Sequence, residues 1–104
     1  MEKKKRQISI QLDEETSEGV YSNFVLIAHN RSEVILDFAR MMPGKPRAKV
    51  HARVIMNPKS ARLLEKSLTG ALREYEQKYG KIEVGEEQEE MTGFQIIPEE
   101  DAKA

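Results

Sequence analysis

The sequence contains no cysteine and no tryptophan, and only 6% of its residues are aromatic. The lack of cysteine excludes disulfide bonds, thiolate metal ligands and thiol nucleophiles. No apolar run approaches the roughly 18 to 20 residues that are needed to span a bilayer. The basic start at residues 1–6 is followed by alternating rather than continuous apolar residues, unlike a secretory signal. These features predict a soluble cytoplasmic protein with no membrane partner.

The chain is short and its charge is unevenly distributed. A domain of about 100 residues buries only roughly 60 to 65% of the surface that its unfolded chain exposes, so contacts with a partner subunit would add stability. Residues 1–60 carry 11 basic and 7 acidic residues, whereas residues 81–104 carry 2 and 8. We expect a flexible basic N-terminus at residues 1–6, a single α+β domain at 7–82 and an acidic, mobile tail at 83–104.

Four segments carry the signals of β-strands. Residues 7–12 alternate apolar and polar side chains, and so do residues 48–56, where the even positions are apolar and Lys49, His51 and Arg53 are basic. Residues 20–28 and 33–40 flank a polar break, and their many β-branched residues would be costly in one long helix. A hairpin that turns at Asn30 fits this stretch better.

A long helix is expected after the last strand. Asn57 is a good N-cap, Pro58 suits the first helical position, and Gly80 is placed to end the helix. Gly70 lies inside the helix, where it would cost about 1 kcal/mol relative to alanine, and we interpret it as a point of close packing. The apolar residues recur at spacings of three and four: Ala61, Leu64, Leu68, Ala71, Leu72, Tyr75 and Tyr79.

These elements predict an antiparallel meander of about four strands followed by one C-terminal helix. The acidic tail contains an apolar island at residues 91–97. This island could add an edge strand, dock on a neighbouring subunit or remain disordered.

Four short motifs are distinctive: Gly-Val-Tyr-Ser-Asn at 19–23, Glu-x-x-x-Asp-Phe at 33–38, Pro-Gly at 43–44 and Met-Asn-Pro at 56–58. With them, residues 8–83 resemble the family known as domain of unknown function 3467, which comprises small uncharacterised bacterial and archaeal proteins. The resemblance implies no activity and no active site. In architecture alone, the predicted fold is similar to that of the export chaperone SecB, and such a likeness assigns no function.

The sequence offers little support for catalysis. His29 and His51 lack the short spacing of a metal-binding motif, and we expect both to be solvated rather than catalytic or metal-bound. Asp37 and Glu33 could pair across strands with the basic residues of 48–56, which accounts for them without chemistry. We therefore predict no enzyme activity, no catalytic residues, no metal and no cofactor.

Two kinds of binding surface remain. The strand at 20–28 has apolar residues on both faces, more than one helix can cover, which indicates an interaction surface. Its candidate residues, with those of the helix, are Tyr21, Asn23, Val25, Ile27, Leu64, Leu68 and Tyr75. A second candidate surface, for polyanions, comprises Arg47, Lys49 and Arg53 in the basic stretch 45–53.

The leading functional hypothesis is a non-enzymatic, homo-oligomeric protein-binding or adaptor protein, dimeric or larger and possibly chaperone-like, whose protein partner is unknown. The alternative is a small nucleic-acid-associated protein that uses the basic stretch 45–53. The two differ in salt dependence, because phosphate contacts weaken steeply with salt and apolar contacts do not.

Overall fold

The computed structural model describes residues 7–44, 46–85 and 94–96. The predicted flexible N-terminus at 1–6 and most of the predicted mobile tail lie outside these residues. The elements in chain order are α1 (Glu14–Ser17), β1 (Phe24–His29), β2 (Val34–Met41), β3 (Ala48–Met56), α2 (Pro58–Tyr79) and β4 (Phe94–Ile96). None of the helices in the described ranges is long and apolar enough to cross a membrane.

The strands form one sheet in the order β3-β2-β1-β4. The strands β1, β2 and β3 form the predicted antiparallel meander, and β4 adds three residues parallel to β1. The apolar island at 91–97 thus contributes an edge strand at Phe94–Ile96. The α+β class and the helix after the meander are confirmed.

The prediction of a fourth antiparallel strand at residues 7–12 is wrong. This segment lies outside the sheet, and the side chains of Ile8, Ile10 and Leu12 are exposed. Alternation marks a strand only where another surface covers the apolar side, and this segment has none in the described chain. The polar loop that follows contains the single-turn helix α1, whose N-cap Asp13 accepts a hydrogen bond from the Thr16 amide.

The stretch from residue 21 to 42 contains the predicted hairpin, but its first strand begins at Phe24 and not at residue 20 as predicted. Residues of β1 pair with β2 from Phe24 opposite Ala39 to His29 opposite Val34. Asn30 organises the turn, because its side-chain oxygen accepts hydrogen bonds from the amides of Ser32 and Glu33 at 2.8 and 2.9 Å. An asparagine that bonds to the backbone two and three residues on is a common way to stabilise a turn.

A β-bulge interrupts the pairing of β2 with β3. The register shifts between Phe38, which pairs with Ala52, and Ala39, which pairs with Val50. Beyond the bulge, residues 48–50 of β3 lie on the opposite side of the sheet from the one that strict alternation predicts. The expectation that the even positions of 48–56 share one face is therefore wrong, and Val50 lies on the face opposite to Val54.

Helix α2 begins and ends where the sequence predicts. The Asn57 side chain accepts a hydrogen bond from the Ser60 amide at 2.7 Å, Pro58 is the first helical residue, and Gly80 follows the last one with a φ of 106°. None of the 22 residues of α2 is buried. The predicted close packing at Gly70 is absent within the described chain, since a Cβ there would meet nothing within 4 Å.

The buried part of the fold is small. Among the described residues, the buried apolar side chains are Val25, Ala28 and Ala39. Helix α2 lies over one face of the sheet, hereafter the helix face, which carries Val25, Ile27, Val34, Leu36 and Phe38. The other face, hereafter the open face, carries Phe24, Leu26, Ile35, Asp37 and Ile55.

Candidate functional site

An apolar groove separates α2 from the helix face of the sheet. Its volume is about 340 Å³. Its lining is almost entirely aliphatic or aromatic and consists of Val25, Ile27, Val34, Leu36, Phe38, Ala61, Leu64, Glu65 and Leu68. Among the described residues that line the groove, Glu65 is the charged one, and it accepts a hydrogen bond from Arg62 at 3.0 Å on the exposed side of the helix. A space of this character accommodates apolar side chains rather than a polar substrate.

The apolar side of α2 extends beyond the groove. Leu72, Tyr75 and Tyr79 continue the spacing of Leu64 and Leu68, and all five are exposed by 43 to 66%. The rings of Tyr75 and Tyr79 lie 4.9 Å apart between centroids. These five residues, hereafter the helix stripe, form a continuous apolar surface that the described chain leaves half uncovered.

An ion pair crosses the open face of the sheet. Arg53 lies directly opposite Asp37 and donates two hydrogen bonds to its carboxylate, from Nε at 2.7 Å and from Nη2 at 2.9 Å. Asp37 is buried, and the bonds from Arg53 lower the pKa of its carboxyl group against the opposing effect of burial. The predicted cross-strand pairing of Asp37 is confirmed. Glu33 lies instead in the hairpin turn, where its carbonyl accepts a hydrogen bond from the Asn30 amide.

The segment before β1 is fixed to the end of β2 by its polar side chains. The Asn23 amide group donates to the carbonyl of Met41 at 3.1 Å and accepts from its amide at 2.8 Å. The Ser22 hydroxyl donates to the carbonyl of Ala39 at 2.8 Å. These bonds hold Tyr21 beside Arg40, whose guanidinium carbon lies 5.6 Å from the centre of the Tyr21 ring.

The bulge divides the predicted polyanion surface. Arg53 lies on the open face, where it is paired with Asp37. Lys49 lies on the other side of the bulge, directly opposite Arg40, and therefore on the other face of the sheet. Arg47 precedes β3 at the same end of the sheet as Lys49. The expected common basic face of Lys49, His51 and Arg53 is thus absent. Lys49 lies instead beside Arg40, whose guanidinium is next to the Tyr21 ring, and only the shifted register shows this arrangement.

The two histidines lie apart. His29 is at the end of β1 opposite Val34, which in turn faces Met56, and His51 is five residues away along β3. Both are exposed. Among the residues that the structure describes, no three His, Asp or Glu side chains cluster as a metal site would require.

The predicted interaction surface separates into three parts. Val25, Ile27, Leu64 and Leu68 line the groove, and Val25 is buried there. Tyr21 and Asn23 lie at the Arg40 end of the sheet, with Asn23 bound to Met41. Tyr75 lies on α2 beyond the groove. The sequence identified apolar residues correctly but could not tell those facing the chain's own helix from those facing outward.

A profile described as "Protein of unknown function (DUF3467)" matches residues 1–84. The chain belongs to this family. No curated protein and no solved structure matches it.

Several residues of the motifs that carry the resemblance have a structural role in this DUF3467 chain. Ser22 and Asn23 hold the end of β2, Asp37 anchors Arg53, Gly44 turns with a φ of 80°, and Asn57 caps α2. The family description names no activity, so the surfaces of the DUF3467 domain are what point to a function.

Proposed function

We propose that the protein is a non-enzymatic, homo-oligomeric binding protein that uses the groove and the helix stripe to hold a second copy and apolar peptide segments. The observation that carries the proposal is that a 22-residue helix with a continuous apolar stripe has no buried residue. Most helical stability in proteins comes from packing an apolar face, so a helix of this kind gains its stability from a partner.

The free energy available from burying the helix stripe is comparable with the cost of association. Full burial of a large apolar side chain contributes about 1.5 to 3 kcal/mol, so the five half-exposed residues of the helix stripe leave about 4 to 7 kcal/mol per chain unrealised. Two copies would gain about twice that, against about 4 to 15 kcal/mol for lost rigid-body freedom. Ile55 on the open face, which is 53% exposed, adds to the drive. The gain and the cost are thus of the same size, which is consistent with a dimer or larger assembly.

The groove gives the proposal its binding chemistry. A volume near 340 Å³ lies at the small end of ligand pockets and is sufficient for one or two apolar side chains. The charged group among its described lining residues is Glu65, and that carboxylate is paired with Arg62. A short apolar segment of an unfolded or extended chain suits such a groove, which is how a chaperone-like or adaptor role would operate.

The proposal assigns no catalytic role. Among the described residues, Asp37 is the buried carboxylate, and Arg53 holds it by two hydrogen bonds. The two histidines lie on different parts of the sheet, so neither can act with the other as a base and its orienting partner.

Peptide binding at different salt concentrations tests the proposal. A fluorescent 15-residue peptide rich in leucine should bind with a similar Kd in 0.1 M and 1 M NaCl, because apolar burial is not screened. Leu68→Ala, which removes part of the groove wall, should weaken binding about tenfold. Leu63→Ala, on a different side of α2, is the matched control and should leave it unchanged. Loss of binding at 1 M NaCl, or equal effects of the two variants, would contradict the proposal.

A further inference from the structure

Two cations lie directly opposite each other at one end of the sheet. Arg40 on β2 pairs in register with Lys49 on β3, and both side chains are exposed. Like charges placed directly opposite each other destabilise an antiparallel strand pair. The ion pairs within the described residues involve other side chains, Asp37 with Arg53 and Glu65 with Arg62. The packing of the sheet therefore does not account for this concentration of positive charge.

The β-bulge creates this pair. From residue 34 to 38 the strands follow one register, and past Phe38 the pairing skips one residue of β3. If the register of residues 34 to 38 continued without a shift, Arg40 would face Val50 and Lys49 would face Met41. Bulges often re-aim side chains next to functional sites. Here the bulge separates Lys49 from the Arg53 side of the sheet and brings it to Arg40.

An aromatic ring lies beside the two cations. The guanidinium of Arg40 is 5.6 Å from the centre of the Tyr21 ring, and Tyr21 is nevertheless 68% exposed. The hydrogen bonds of Ser22 and Asn23 to β2 fix the backbone next to this ring. A third cation, Arg47, immediately precedes β3 at the same end. Exposed aromatic rings among cations are the elements with which proteins bind unpaired nucleotides.

We propose that Tyr21, Arg40, Arg47 and Lys49 form a binding site for single-stranded nucleic acid. The three cations contact phosphates, and the free side of the Tyr21 ring stacks on one base. Stacking of this kind requires an unpaired base, which selects a single strand over a duplex. Arg53, although basic and close in sequence, takes no part, because it is bound to Asp37 on the open face. The site goes beyond the proposed function and uses neither the groove nor the helix stripe.

Fluorescence anisotropy with labelled 20-nucleotide poly(U) and oligo(dT) tests this site on the full chain between 20 and 200 mM NaCl. Lys49→Glu and Arg40→Glu should each weaken binding at least tenfold at 50 mM NaCl. Three phosphate contacts on a single strand predict a slope of log K against log salt of about −2, and Lys49→Glu should reduce its magnitude by about 0.7. Lys66→Glu, which makes the same charge change on exposed α2, should weaken binding less than twofold.

Two further measurements separate this site from general attraction of polyanions and from a structural role. Tyr21→Ala should weaken oligonucleotide binding at least threefold but leave binding of heparin, which has no bases, unchanged. Lys49→Glu should raise the urea midpoint of unfolding, because it replaces a like-charge pair with an attractive one. Absence of binding at 20 mM NaCl, an equal loss with Lys66→Glu, an equal effect of Tyr21→Ala on heparin, or a lowered urea midpoint for Lys49→Glu would each overturn the proposal.

Discussion

Replacement of Leu72 by aspartate is expected to weaken self-association about 100-fold or more while leaving the subunit folded. Leu72 is 44% exposed on the helix stripe and does not line the groove, so the chain's own packing depends little on it. The change removes apolar contact and places a charge in the interface of both copies. A loss of about 3 kcal/mol over two copies corresponds to roughly 100-fold in Kd. Sedimentation velocity over a concentration series measures this change, with far-UV circular dichroism to verify folding.

Leu63 provides a matched control on the same helix. It is 54% exposed and lies nine residues before Leu72, which places it about 180° around the helix axis. Leu63→Asp carries the same charge and the same loss of helix propensity, so it should leave the association constant within about threefold of the unmutated value. Equal weakening by both substitutions would show that the helix stripe is not the interface. A normal Kd for Leu72→Asp would show the same.

The second large effect is expected at the ion pair of the open face. Arg53→Ala should lower the free energy of unfolding, because it leaves the Asp37 carboxylate, which is largely shielded from solvent in the folded chain, without its charged partner. Asp37→Ala should cost less, since Arg53 is more exposed and can be solvated. The double substitution should cost less than the sum of the two, with a coupling energy of about 1 to 2 kcal/mol. Urea denaturation at one fixed chain concentration measures all four proteins.

The exposed pair of Arg62 and Glu65 on α2 serves as the reference cycle. Both of its side chains are largely solvated, so their coupling should be below about 0.5 kcal/mol. Strict additivity at Asp37 and Arg53, or a coupling as small as that of the helix pair, would refute a stabilising role for the cross-strand pair.

The same ion pair predicts a dependence of stability on pH. Arg53 lowers the pKa of Asp37 in the folded chain below its ordinary value of 3.8. A carboxyl group with a lowered folded pKa contributes stability above its unfolded pKa and loses that contribution as pH falls through the folded value. The difference in unfolding free energy between the unmutated chain and Asp37→Asn should therefore be constant from pH 7 to about pH 5 and shrink below about pH 4.

The hairpin and the helix α2 could be predicted from sequence because local chemistry determines them. Asn30 supplies turn hydrogen bonds through its own side chain, and Asn57 with Pro58 starts a helix whatever lies nearby. The strand expected at residues 7–12 failed for the opposite reason. Its alternation is typical of a segment that can pack, but a strand also requires a neighbour to pair with, and none of the described residues pairs with this segment.

The charge distribution on the sheet could not be predicted from alternation alone. A one-residue bulge reverses the side of the sheet on which residues 48–50 of β3 lie. Lys49 and Arg53, which are four residues apart and would share a face in a regular strand, therefore lie on opposite faces. Bulges depend on tertiary pairing and leave little signal in a single sequence. Similarly, the spacing of Leu64, Leu68 and Leu72 identified one apolar stripe, but whether the chain or a partner covers each residue depends on where the helix lies over the sheet.

Light scattering coupled to size-exclusion chromatography, applied to the unmutated chain over a dilution series, tests the central claim most directly. The uncovered helix stripe and the small buried core predict a mass of at least twice the 11.9 kDa chain at micromolar concentrations. A folded monomer of 11.9 kDa at every micromolar concentration would contradict it.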